Sequence, residues 1–223
     1  MRPILLATIL AVLVFGFFPN LDLAVSRLFY VEGQGFPYRN HPVVLAFYNL
    51  IKVLSVGTVA GLAGLAVCRA IHGKFPKFRR MTRLAAIFSY RQILFLLLAL
   101  ILGPGLLVHT VIKEVVGRPR PVNIQEFGGM KAYAPPFVIA GDPEGKSFVS
   151  GHTAAGFYFT AFGLVAGRAK CRKQLYAGGL VLGTVTAFVR ILQGGHFLSD
   201  CVFAGLLVLC VNHLLYRWLL GKR

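Results

Sequence analysis

The stretch Arg190-Ile-Leu-Gln-Gly-Gly-His-Phe-Leu-Ser-Asp200 places an arginine, a histidine and an aspartate inside an otherwise apolar region. The segments on either side, residues 180–192 and 201–216, are long apolar runs typical of membrane-spanning helices. Ionisable groups are costly in such segments, so these three indicate a functional site. His196 and Asp200 are four residues apart, and on one helix face the carboxylate can reach an imidazole nitrogen.

The composition indicates a single all-α membrane domain over residues 1–223. The chain is 57% hydrophobic and 14% charged, which places it in the polytopic membrane class. Its net charge of +17 could indicate nucleic-acid binding, but the Lys and Arg residues form short clusters between apolar runs, so no nucleic acid is expected. The four cysteines show neither a disulfide framework nor a zinc spacing.

The apolar runs predict a polytopic protein with six transmembrane helices and one short interfacial helix. Residues 21–29 are amphipathic and predict the interfacial helix. Residues 113–149 form the one long polar connection, which favours a functional loop. Gly57, Gly61 and Gly64 predict a small-residue ridge for close helix approach. The predicted spans are residues 3–18, 43–70, 92–112, 152–167, 174–192 and 198–220.

The charged residues predict the orientation of these spans. Alternating spans place 15 Lys and Arg residues and no acid on one side, whereas all seven acidic residues fall on the other. The positive-inside rule therefore predicts cytoplasmic N- and C-termini. The loop from residue 113, the Gly194-Gly195 turn and Asp200 are then expected outside the cytoplasm.

Three stretches meet at this predicted outer face: residues 113–121, 147–152 and 190–200. They supply three or four fixed cations, two histidines, one carboxylate and a Ser-Gly turn at the expected start of a helix. Helix N-termini and Lys or Arg clamps bind phosphate. The sequence therefore predicts an extracytoplasmic phosphate site.

The same stretches resemble the three-part signature of the type 2 phosphatidic acid phosphatase superfamily, which includes vanadium haloperoxidases and bacterial acid phosphatases. Lys113, six residues and Arg120-Pro121 match the first part, Val149-Ser150-Gly151-His152 matches the second, and Val189-Arg190, His196 and Asp200 match the third. Val149 stands where the family has Pro, and Val189 stands where it has Ser. Neither departure removes a proton carrier.

The resemblance implies a role for each matching residue. His196 is expected to attack phosphorus and form a phosphohistidine, with Asp200 orienting its ring. His152 is expected to act as general acid and then as general base. Three cations replace a magnesium ion, so no metal or other cofactor is expected. The residues expected to bind the phosphate are Lys113, Arg120, Ser150, Gly151 and Arg190.

The other polar residues have simpler interpretations. His109 and His213 are expected to be hydrogen-bonded packing residues. Arg118 is expected at the outer rim of the site or in solvent, and Lys131 and Lys146 are expected in solvent. The aromatic residues of the long loop, such as Phe127 and Tyr133, either pack the loop or form a wall that guides acyl chains.

The function predicted from this resemblance is a metal-independent lipid phosphate phosphatase at the outer face of a bacterial inner membrane. The short six-span build, the Phe127-Gly-Gly loop and the 147–151 stretch are similar to bacterial lipid A phosphatases. Undecaprenyl diphosphate and phosphatidylglycerophosphate phosphatases, and a phosphotransferase, remain alternatives within the family. A phosphate or organic-anion transporter is the alternative of another class, although no internal repeat is evident. The expected partners are the lipid substrate and the bilayer, and the sequence leaves the oligomeric state open.

Overall fold

The computed structural model describes residues 1–72 and 88–221, except for the side chains at 72, 109–111, 113 and 114. In these ranges the chain is all-α. A π-helical segment, Ile101–Ile112, joins α4 to α5, and a 3-10 turn, Pro37–Asn40, precedes α3. The helices are α1 (Arg2–Phe17), α2 (Leu21–Arg27), α3 (Pro42–His72), α4 (Tyr90–Leu100), α5 (Lys113–Val116), α6 (Gly151–Tyr158), α7 (Thr160–Val165), α8 (Ala169–Leu192) and α9 (Leu198–Leu219).

Four stretches of the described chain are long and apolar enough to cross a membrane. They correspond to the second, third, fifth and sixth predicted spans. The predicted first span, α1, meets α2 at an angle of 85°, and this bent pair is a fifth candidate if it is taken as one span. The four stretches are Pro42–Ile71, Tyr90–Val108, Ala169–Leu192 and Leu198–Leu219.

The predicted fourth span, residues 152–167, is divided into α6 and α7 at Phe159. The Phe159 amide donates to the Gly156 carbonyl at 3.3 Å, a bond one residue shorter than the α-helical spacing. The Thr160 hydroxyl donates to the Phe157 carbonyl at 2.8 Å and competes with the backbone ladder. The two helices contain eight and six residues, so neither spans a membrane alone.

Close helix approach occurs between α6 and α8, and not along the predicted ridge of α3. A Cβ atom added at Gly156 would lie 2.9 Å from the Cα of Gly183. By contrast, Gly57, Gly61 and Gly64 have no described atom within 4 Å of that position. Among the described residues, the predicted α3 ridge therefore has no closely packed partner. The glycine content of α3 alone does not identify its partner, because close approach needs a facing small residue.

Two apolar clusters position the site. The larger one lies among α4, α6, α7 and α9, where the Tyr158 hydroxyl donates to the Leu96 carbonyl at 3.1 Å. The smaller one lies under the long loop and is formed by Phe36, Ile124, Phe127 and Phe197. Phe127 is thus a packing residue of the loop. The smaller cluster packs the loop against the N-terminus of α9. His196 lies just before this helix.

Candidate active site

His196 lies in the turn between α8 and α9. Its Nδ1 atom is 2.7 Å from the carbonyl oxygen of Ser147. A carbonyl oxygen only accepts hydrogen bonds, so Nδ1 donates, and in the neutral ring Nε2 keeps its lone pair. Gly194 turns the chain with φ at 59°, and the Phe36 ring occupies the space a side chain would take there. His196 is therefore held in the tautomer that a nucleophilic histidine requires.

Asp200 is fully buried in the first turn of α9 and accepts several hydrogen bonds. Ser147 Oγ donates to its Oδ2 at 2.5 Å, and the Phe197 amide donates to the same oxygen at 2.8 Å. His196 Nδ1 is 3.7 Å from that oxygen, farther than from the Ser147 carbonyl. Ser147 thus contacts both members of the predicted pair, through its hydroxyl and its carbonyl, and shares the orientation of His196 with Asp200.

Arg118 is buried inside the protein, so its predicted placement at the rim or in solvent is wrong. Its Nη1 lies 2.6 Å from Asp200 Oδ1, and its Nη2 lies 2.8 Å from Asp22 Oδ2. The same guanidinium donates to the Ser199 hydroxyl at 2.8 Å and to the Ala134 carbonyl at 2.9 Å. Burial is possible because two carboxylates compensate the charge and the donors have partners.

Arg118, Asp22, Ser199 and Asp200 form a hydrogen-bonded cluster, the Arg118 cluster, which joins α2 to the start of α9. Asp22 Oδ1 accepts the Ser199 amide at 2.8 Å, and the Phe197 ring lies 4.2 Å from the Arg118 guanidinium carbon. Burial acts against the charge of Arg118, but Asp200 and Asp22 outweigh it and raise the guanidinium pKa above its ordinary value. Arg118 therefore stays charged, and its partner Asp200 lies 3.7 Å from His196 Nδ1.

Ser150 and Gly151 begin α6 as predicted. The Ser150 hydroxyl caps the helix by accepting from the Thr153 amide at 3.4 Å and from the Thr153 hydroxyl at 2.9 Å. The Ser150 amide donates to the carbonyl oxygen of Asp200 at 3.0 Å. This bond joins the N-terminus of α6 to that of α9, so the second and third sequence stretches meet.

His152 stacks on Tyr48 of α3. The two ring centroids are 4.1 Å apart, with 19° between the ring planes. Lys52 Nζ lies 4.3 Å from the centroid of the same Tyr48 ring, and the guanidinium carbon of Arg190 lies 5.0 Å from it. Tyr48 therefore links the predicted general acid to a predicted phosphate-binding arginine.

Arg120 and Arg190 line one pocket of about 320 Å³. Arg190 is buried at the end of α8 and donates to the Gln193 side-chain carbonyl, while Arg120 is half-buried and precedes a short 3-10 turn. Gly195, the residue before His196, also lines the pocket. Two predicted phosphate clamps thus lie beside the predicted nucleophile.

Other predicted residues have different outcomes. The side chains of Lys113 and His109 lie outside the described part of the chain. His213 contacts the Leu209 carbonyl through Nδ1 at 2.8 Å, which confirms its packing role. Lys131 is not a freely solvated charge, because it pairs with two carboxylates of the long loop at 2.5 and 3.0 Å.

Within residues 1–72 and 88–221, no three His, Cys, Asp or Glu residues are grouped to hold a metal ion.

Sequence reasoning missed three parts of this arrangement. The Ser147 carbonyl is a backbone group and leaves no signal in residue identity. Tyr48 lies outside the three stretches, and its one signal was Lys52 one helical turn later in an apolar run. For Arg118 the signal was Asp22, an unexplained acid beside the first apolar run.

The chain belongs to the PAP2 superfamily, whose family model matches residues 92–223. That range contains all three predicted motif stretches. A buried histidine with a fixed tautomer, a partner aspartate and an arginine-lined pocket is the arrangement expected of a phosphoryl-transfer site in this class.

Three curated relatives carry the name lipid A 4'-phosphatase. The protein from Francisella tularensis subsp. novicida (strain U112) is 37% identical over 137 residues, which cover 60% of this chain and 62% of that relative. The Rhizobium leguminosarum protein is 30% identical over 89% of this chain and 87% of its own length. The Rhizobium etli protein (strain ATCC 51251) is 32% identical over 88% of this chain and 81% of its own length. No solved structure matches the chain at a significant level.

Proposed function

We propose that this protein is a lipid phosphate phosphatase of the bacterial inner membrane that removes a phosphate from lipid A. The observation that carries the proposal is the contact between His196 Nδ1 and the Ser147 carbonyl at 2.7 Å, next to a pocket lined by Arg120 and Arg190. Because Nδ1 donates to that carbonyl, Nε2 keeps the lone pair with which we propose that His196 attacks a phosphate bound in this pocket. The lipid A assignment is supported by the names of the three relatives.

In the first step, Nε2 of His196 forms a bond to phosphorus while the bond from phosphorus to the lipid oxygen breaks. The product on the enzyme is a phosphohistidine. Protonated His152 gives its proton to the departing lipid oxygen. Asp200 and the Ser147 carbonyl stabilise the positive charge that develops on the His196 ring.

In the second step, neutral His152 removes a proton from water, and the water oxygen attacks phosphorus. The bond from phosphorus to Nε2 breaks, so inorganic phosphate leaves and His196 regains its lone pair. His152 ends this step protonated and ready for the next lipid. Over the two steps His152 gives one proton to the lipid oxygen and takes one from water, and His196 accepts and releases the phosphoryl group, so the enzyme has no net change.

The phosphate oxygens are bound by Lys113, Arg120 and Arg190, together with the Gly151 amide and the Ser150 hydroxyl. Preorganised cations in a partly buried pocket stabilise the charge spread over the transition state. Three such cations supply the countercharge that a magnesium ion provides in other phosphoryl-transfer sites, so the reaction proceeds without metal.

The proposed topology has six crossings, with α6 and α7 forming one of them and α1 another. Both termini are cytoplasmic, and the site is periplasmic. The distribution of charge supports this orientation, since every acidic residue falls on the proposed outer side. The contacts among the end of α8 and the starts of α6 and α9 support a site at one end of the bundle.

A panel assay tests the proposal. Purified protein in detergent is given lipid A, undecaprenyl diphosphate, phosphatidylglycerophosphate and phosphatidic acid, and released phosphate is measured. The highest kcat/KM is expected for lipid A. A higher value for another lipid would reassign the substrate, and transfer of phosphate to a second lipid would indicate a phosphotransferase. Failure to release or transfer phosphate from any of them would favour a transporter.

A further inference from the structure

The pocket beside His196 is lined by one arginine that the proposed mechanism does not use. Besides Arg120 and Arg190, it is lined by Arg39, which belongs to none of the three motif stretches. In the described part of the chain, no residue that lines it carries a carboxylate. Its volume of about 320 Å³ is in the range of sites that bind a whole small molecule, roughly 300–1,000 Å³.

Arg39 is held at this pocket by contacts of the turn Pro37–Asn40. The carbonyl oxygen of Arg39 accepts a hydrogen bond from Gln193 Nε2 at 3.3 Å, and the side-chain carbonyl of Gln193 accepts from Arg190. Phe36, just before the turn, is buried against Gly194. These contacts hold the turn against the segment that carries His196. The backbone of Arg39 therefore has a fixed position at the pocket.

The three arginines differ in depth. Arg190 is 7% exposed, Arg120 is half-buried, and Arg39 is exposed at the mouth. Arg39 and Arg120 both repel the charge of Arg190. Like charges at close range are unfavourable unless an anion or several oxygen acceptors separate them. The reacting phosphate fits between Arg190 and Arg120, the two more buried arginines. Arg39 is then available to bind the rest of the headgroup.

We propose that Arg39 and its neighbour Asn40 form a headgroup subsite for a phosphorylated sugar, beyond the reacting phosphate. This inference rests on the proposed phosphatase function. The guanidinium and the amide donate hydrogen bonds to sugar hydroxyl and acyl carbonyl oxygens. Phosphatidic acid, whose phosphate carries no headgroup sugar, gains nothing from this subsite. Arg39 thereby distinguishes lipid A from simpler phosphate lipids.

The test compares Arg39→Ala with the wild-type protein on two substrates, lipid A and phosphatidic acid. Loss of hydrogen bonds from a charged donor is expected to lower kcat/KM for lipid A by about tenfold to a hundredfold, mostly through KM. The value for phosphatidic acid is expected to change less than about threefold. Arg27→Ala is the matched control, because Arg27 is also exposed on the proposed outer side but does not line the pocket.

Each other outcome overturns the inference. Equal losses on both lipids would make Arg39 a general phosphate clamp. An unchanged lipid A value, or the same loss in the Arg27 variant, would remove any subsite role. A wild-type protein that hydrolyses phosphatidic acid but not lipid A would instead overturn the substrate proposal on which this inference depends.

Discussion

Arg118 and Asp200 form an ion pair that is excluded from solvent, with Nη1 and Oδ1 2.6 Å apart. Arg118 comes from the first motif stretch and Asp200 from the third, so the pair joins two parts of the site that are 82 residues apart in sequence. Asp200 in turn accepts from Ser147, whose carbonyl holds His196. The Arg118 cluster is therefore connected through Asp200 and Ser147 to His196, the proposed nucleophile.

Replacement of Arg118 by Gln is expected to destabilise the protein by about 3–5 kcal/mol, because two buried carboxylates lose their countercharge. Thermal unfolding in detergent measures the effect. Asp22→Asn is the matched comparison. It should lower the free energy of unfolding by less, since Arg118 keeps Asp200 as its partner. Equal stability of the Gln variant and the wild type would contradict the assignment of this ion pair.

Replacement of His196 by Ala is expected to lower kcat by at least about 10⁴-fold, because the proposed mechanism uses no second nucleophile. Acid-labile phosphate bound to the protein should be trapped in the wild type and absent from the variant. His213→Ala controls for loss of an imidazole, since His213 contacts the Leu209 carbonyl of α9 and the Tyr176 ring and is not a lining residue of the pocket. Activity that survives in the His196 variant would exclude it as nucleophile.

The sequence predicted the parts of the site that depend on local order. The apolar runs predicted α3, α8 and α9 as spans. The spacing of four residues predicted that Asp200 lies close to the His196 ring. Covalent neighbours and helix periodicity determine these features, so they can be inferred from one chain.

Features that depend on distant partners could not be inferred in this way. The burial of Arg118 depends on Asp22, which is 96 residues earlier in the chain. The Ser147 carbonyl acts through backbone geometry. The break at Phe159 is a local feature, since the Thr160 hydroxyl donates to the Phe157 carbonyl three residues earlier, but threonine also occurs in unbroken helices, so its residue type does not predict the break.

Hydrolysis is expected to continue in a metal chelator, because arginine and lysine side chains supply the countercharge for the phosphate. Vanadate is expected to inhibit, since its five-coordinate form resembles the transition state at phosphorus. Both effects are measured as phosphate release by the purified protein. Loss of activity in chelator that returns with added magnesium would contradict the proposed mechanism.

The ion pair between Lys131 and Asp142 is expected to hold the long loop above about pH 4. The hydrogen bond from Lys131 lowers the pKa of Asp142 below its ordinary value. The stabilisation is therefore present above the unfolded-state pKa of Asp142 and is lost as the pH falls through its lowered folded-state pKa. Asp142→Asn should remove this dependence.

Hydrogen exchange of the amides at residues 140–145, corrected for the intrinsic effect of pH, measures the opening of the loop. Glu126→Gln serves as the control, because Glu126 is an exposed carboxylate of the same loop outside this pair. Equal protection in the Asp142 variant and the wild type at pH 7 would show that the pair does not hold the loop.

Gly156→Ala is expected to destabilise the protein by about 1–3 kcal/mol through overpacking. The added methyl group would lie 2.9 Å from both the Cα of Gly183 and the Thr186 hydroxyl, so α6 would be forced away from α8. Because α6 carries Ser150 and His152 at its start, kcat should fall with stability. Gly61→Ala adds the same group where no described atom lies within 4 Å, and its unfolding temperature should be nearly unchanged. Equal effects of the two substitutions would contradict backbone contact between α6 and α8.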